Sequence, residues 1–242
     1  MRILALGDPH GTLLKGFKSI LKKNKPELII ITGEHPDVPF FPKKGESEKT
    51  RSLRFIRHYE SIFEKLNALK LPIVVLRGNE AGIEGDKLFK MYNKIIHKTT
   101  GKIVFKKNVF VLFDMFWEKD VLRGTTPFIR KKMRTNKTRE KKLNQLLKEN
   151  LGSILISHAP PYGYFDMAQN EFTDYKRKHV GSKILLNAIK KHQPKLVLCG
   201  HIHEAKGKAK VGKTVVYNIG SHGDYAVIDT NTTKIIESNF LK

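Results

Sequence analysis

Five short apolar runs in this chain each end abruptly in a polar cluster, and that pattern restricts the fold more than any other feature. Arg2–Leu6, Glu27–Thr32, Pro72–Leu76, Ser153–Ile156 and Lys195–Cys199 read as buried parallel strands. Just beyond them stand Asp8-Pro9-His10, Gly33-Glu34-His35-Pro36-Asp37, Gly78-Asn79, Ser157-His158-Ala159-Pro160-Pro161 and Gly200-His201-Ile202-His203. In open α/β sheets, sites form past the carboxyl ends of strands, so these loops are expected to converge on one crevice. Carboxylates, an amide and four imidazoles would meet there, which is the ligand set of a site for two divalent metals. In His201-Ile202-His203 the alternation of an extended segment is expected to send both rings to the same side.

The same residues resemble the calcineurin-like metallophosphoesterase superfamily, and most closely its small Icc-related cytosolic members. The family pattern runs Asp-x-His, Gly-Asp-x-x-Asp, Gly-Asn-His, a later His, then Gly-His-x-His; here it is spread over residues 8 to 203 of 242. The similarity is greatest from Ser157 onward, through His158-Ala159-Pro160-Pro161-Tyr162-Gly163, Gly181-Ser182, Gly200-His201-Ile202-His203-Glu204 and Tyr217-Asn218-Ile219-Gly220-Ser221. The resemblance implies that Asp8, His10 and His203 bind one metal, that Asn79, His158 and His201 bind the other, and that Glu34 takes the bridging place. It also implies a phosphodiester or phosphomonoester hydrolase whose nucleophile is a hydroxide between the metals. Hard carboxylate and amide oxygens beside imidazole nitrogens suit Mn²⁺ best, with Fe or Zn²⁺ as alternatives, and no thiolate is present to select soft metals.

Two positions depart from the family pattern. Glu34 stands where the family has Asp, and its extra methylene moves the carboxylate about one bond length further from the backbone while bridged metals sit roughly 3.5–4 Å apart. Glu80 replaces the His of Gly-Asn-His, which in relatives contacts the phosphate and helps the leaving group depart. Three outcomes stay open there. Glu80 could be a general acid, kept protonated by Asp37 in a shared like-charge pocket. His35 could supply the missing imidazole. Otherwise catalysis is poor and the protein, on the same fold, serves binding.

Strand-then-helix alternation at the start, with a helix over Leu13–Asn24, indicates βαβ units. Later strands are closely spaced: Ile103–Phe105, Val109–Phe113, Thr214–Asn218, Tyr225–Ile228 and Lys234–Ser238. They are expected to form a second, partly antiparallel sheet, giving a four-layer α/β/β/α sandwich with two mixed sheets in a single domain over residues 1–242. Residues 35 to 50 read as a loop over the crevice. Residues 51 to 69 read as a helix with Leu53, Ile56, Ile62, Phe63, Leu66 and Leu69 toward the core, and an irregular stretch from Val121 to Asn136 leads into a Lys-rich helix ending at Asn150.

Forty-six Lys and Arg against 23 Asp and Glu leave a net charge of +23. Basic clusters lie at Lys22-Lys23, Lys43-Lys44, Arg130 to Lys132, Arg139 to Lys142, Lys176 to Lys178 and Lys206 to Lys213. Such a field attracts polyanions, so nucleotide or nucleic acid is the expected partner class; a generally Lys-rich surface accounts for it equally well. The lone Cys199 cannot form an internal disulfide, and neither a signal peptide nor a run of about 18 apolar residues is seen. The expected location is therefore the cytoplasm, with no membrane partner. Oligomeric state has no signal in the sequence.

Overall fold

The computed structural model describes residues 1–11, 13–33, 45–76, 78, 91–114, 136–169 and 178–241. They form two compact units, Met1–His97 with Ile219–Lys242, and Lys98–Asn218. The fold class is α/β, with one mixed six-stranded sheet in each unit.

The strands of the first unit are β1 (Arg2–Leu6), β2 (Leu28–Ile31), β3 (Ile73–Val75), β4 (Ile95–His97), β11 (Tyr225–Asp229) and β12 (Ile235–Ser238). Their order is β12-β11-β1-β2-β3-β4. β1 to β4 run parallel, and β11 and β12 are added antiparallel beside β1. Both faces of the sheet are apolar, as parallel strands require. Leu4, Leu6, Ile29, Ile31, Ile73 and Val75 pack with Ile62, Phe63 and Leu66 of helix α2 (Glu48–Asn67) and with Phe17, Ile20 and Leu21 of helix α1 (Phe17–Asn24). Ile3, Ala5, Leu28, Ile30 and Val74, on the opposite face, are equally inaccessible to solvent.

The second unit holds β5 (Thr100–Phe105), β6 (Asn108–Phe113), β7 (Ile154–Ser157), β8 (Leu196–Cys199), β9 (Gly207–Val211) and β10 (Thr214–Asn218). Their order is β5-β6-β7-β8-β10-β9, with β6, β7, β8 and β10 parallel and an antiparallel strand at each edge. Helices α3 (Asn136–Glu149) and α4 (Lys183–His192) cover one face through Leu143, Leu147, Leu185, Ala188 and Ile189. Among the described residues no helix is long and apolar enough to cross a membrane.

Several expectations need correction. Tyr225–Asp229 and Ile235–Ser238 belong to the first sheet, and β7 and β8 belong to the second, because burial patterns identify strands without naming their neighbours. The first helix begins at Phe17: Gly16 lies at φ 73°, a left-handed conformation that a right-handed helix cannot pass through. Helix α2 starts at Glu48, where Ser47 accepts a hydrogen bond from the Thr50 amide at 3.1 Å. Leu53 is 47% exposed; nine residues before Ile62, at about 100° per residue, it points to the opposite face. Strands β4 and β9 and helix α4 had no counterpart in the reading of the sequence. The irregular stretch up to residue 135 lies outside the described residues.

Candidate metal centre

Asp8 follows β1 in the first unit and is fully buried. The Thr32 hydroxyl, just past β2, donates to Asp8 Oδ1 at 3.0 Å and shares its hydrogen with the Leu6 carbonyl at 3.3 Å. The Asp8 backbone is clamped as well: its amide donates to Gly220 O at 3.0 Å and its carbonyl accepts from the His222 amide at 2.9 Å. Gly7 is required at this crossing, since a Cβ there would stand 2.3 Å from Gly220 O. His10 and His222 stack with ring centroids 4.8 Å apart and planes at 11°. His222 Nδ1 lies 2.9 Å from Ser221 Oγ.

His158 follows β7 in the second unit and is fully buried, and its ring meets that of His201 edge-on at 4.8 Å. The Gly200 amide donates to the His158 carbonyl at 3.0 Å, which joins the loops after β7 and β8. His203 opens a single 3-10 turn, His203–Ala205. The expected alternation of an extended segment therefore does not hold: His201 lies at φ 72°, Ile202 is extended, and His203 is helical. Asn218, at the end of β10 and fully buried, donates from Nδ2 to the Ile202 carbonyl at 2.9 Å.

Eight described non-glycine residues have positive φ, and three of them are His10, His201 and His222. Each left-handed residue with a Cβ costs about 1–2 kcal/mol, and such strain concentrates where geometry serves a function. Glu34, His35, Asp37, Asn79 and Glu80 lie outside the described residues. Reading the sequence missed His222, Thr32 and the contact made by Asn218. His222 had a signal, a histidine two residues after Gly220; Thr32 had none, because it ends an apolar run as any strand-former would.

A family model described as metallophosphoesterase, calcineurin superfamily, matches residues 41–240. An uncharacterized protein of Methanocaldococcus jannaschii is 35% identical over 117 residues, covering 48% of this chain and 52% of that protein. Human metallophosphoesterase domain-containing protein 1 is 39% identical over 66 residues, 27% of this chain and 19% of its own length. The matched segments thus span about half or less of these curated relatives. Among solved structures, TT1561 of Thermus thermophilus is similar in fold, with a TM-score of 0.58 at 17% identity over 98% of this chain and 97% of that one.

Proposed function

The chain belongs to the calcineurin superfamily of metallophosphoesterases, and on that premise we propose that it hydrolyses phosphodiester or phosphomonoester bonds, with nucleotides or nucleic acid as the substrate class. In this reading Asp8, His10 and His203 would hold one divalent ion, Asn79, His158 and His201 would hold a second, and Glu34 would be a further ligand. The donors fit such ions: a buried carboxylate oriented by a threonine hydroxyl, and buried or half-buried imidazoles on constrained backbone. Mn²⁺ suits the mixture of oxygen and nitrogen best. When bound, the pair supplies polarisation of phosphate oxygens and an acidified water.

The chain's own residues orient and transfer protons. Thr32 engages one oxygen of Asp8 and so fixes the direction in which the carboxylate is presented. Asn218 fixes the peptide between His201 and His203. In this reading Glu80 or His35 would donate the proton that the leaving oxygen needs. The observation that supports the reading best is the left-handed backbone at His10 and His201, since neither position closes a helix or a strand hairpin. The same reading places the protein in the cytoplasm as one domain, with Cys199 an ordinary buried thiol.

Glu80, in place of the family's histidine, favours a second reading: a weakly active or inactive binding protein on this fold, its +23 charge directed at nucleic acid. Metal content tests the site itself. Chelator-stripped protein dialysed against Mn²⁺ should retain two ions per chain, and His158→Ala should retain about one. A native protein that retains none contradicts the proposed centre.

A further inference from the structure

Beyond the loop that carries His158, the second unit holds a pair that the catalytic proposal does not use. Asp166 is 1% exposed, and its carboxylate is fully engaged. Oδ2 accepts the amides of Gly163 at 2.9 Å and Gly181 at 3.0 Å, while Oδ1 lies 2.6 Å from His179 Nδ1. Only glycine fits at 181, where a Cβ would come within 2.8 Å of Asp166. The side chain of His179 is 40% exposed, so part of its ring is open to solvent. Beside it, at 5.4 Å between centroids, lies Tyr162, and the Lys183 ammonium sits 4.9 Å from the centre of the Tyr162 ring.

This pair is tied to both histidine loops of its unit. Pro161 and Tyr162 continue directly from His158-Ala159-Pro160, and Pro161 bridges to Ser182. Met167 pairs with His179, and the flanking Ala168 and Val180 pack on Ile202, the residue between His201 and His203. The Gln169 amide donates to Glu204 Oε1 at 2.7 Å, fastening the same ribbon to the 3-10 turn.

A buried carboxylate already satisfied by two amides has little structural need of a partly exposed imidazole. What the contact does is fix the ring's direction, and a partly exposed imidazole held in one orientation is suited to hydrogen-bond a phosphate group. We propose that His179, held by Asp166 and flanked by Tyr162, is a phosphate-contacting residue of this protein. The proposal deepens the phosphoesterase reading and rests on it for the substrate. It places an imidazole near the histidine loops of a chain that carries Glu80 where relatives carry histidine.

His179→Asn separates contact from structure, because the asparagine amide nitrogen stands about where Nδ1 does and can still donate to Asp166. Inorganic phosphate is titrated into Mn²⁺-loaded native and variant protein by calorimetry, and thermal unfolding is followed in parallel. The expected result is an unchanged melting temperature with phosphate affinity lowered about tenfold. Equal phosphate affinity in the two proteins, or none in the native protein, overturns the proposal, as does an affinity loss that only accompanies lost stability. The two readings fail separately: absent Mn²⁺-dependent hydrolysis counts against the phosphoesterase, and His179-independent phosphate binding counts against this contact.

Discussion

At the scale of single residues, ionisable groups in this protein are held by neighbours that can be named. Glu237 receives Lys23 at 2.8 Å, Asn24 Nδ2 at 3.0 Å and the Tyr225 hydroxyl at 2.8 Å. Those donors, Lys23 first, hold its carboxyl at about 2 against an ordinary 4.5. Burial, with the Glu237 hydrogen bond second, pushes the Tyr225 phenol up to about 12. A carboxylate lowered on folding stabilises the native state above its unfolded value, and that stability is lost as pH falls from about 4.5 towards 2. The contribution is on the order of 2 kcal/mol once screening of exposed Lys23 is allowed for. Urea unfolding of Glu237→Gln against the native protein should therefore show a stability gap at about pH 7 that closes at about pH 2; a gap independent of pH would refute the assignment. None of this cluster was legible beforehand, because Lys23, Asn24, Tyr225 and Glu237 meet only once β11 and β12 have joined the first sheet.

At the scale of elements, strands were easier to read than their partners. Runs such as Leu28–Ile31 and Leu196–Cys199 are apolar on both faces and identify themselves, whereas nothing local distinguishes which sheet will receive them. Strand β9 was hidden by its chemistry. Lys208 and Lys210 alternate with buried or half-buried Gly207, Ala209 and Val211, so an edge strand reads as a basic cluster; lysines there also oppose edge-to-edge association. The end of β10 shows how an element's terminus serves a site. Asn218 closes the strand and pins the carbonyl between His201 and His203. Asn218→Ala should destabilise the fold by about 1–3 kcal/mol through the buried carbonyl it abandons, and should weaken Mn²⁺ binding about tenfold or more. Calorimetric titration beside thermal unfolding measures both, and unchanged metal affinity would remove Asn218 from the site's support.

For the whole molecule, the α/β class and the strand-end positions of Asp8, His158, His201 and His203 were legible in the sequence, since short apolar runs ending in polar residues carry that information locally. Backbone strain at His10 and His201, the His222 stack and the Asp166–His179 pair were not, because each depends on segments brought together from different parts of the chain. The +23 charge has no single address: lysines and arginines lie on α3, β5 and β9 within one unit and on α1 within the other. Catalysis therefore decides between an enzyme and a binding protein more directly than charge does. The most direct measurement is hydrolysis of bis-p-nitrophenyl phosphate and p-nitrophenyl phosphate by chelator-stripped protein with Mn²⁺ restored, beside Asn79→Ala. Turnover is expected to require Mn²⁺ and to be lost in the variant, with the preferred compound separating diesterase from monoesterase. No turnover from metal-loaded native protein, or turnover that Asn79→Ala retains, would contradict it.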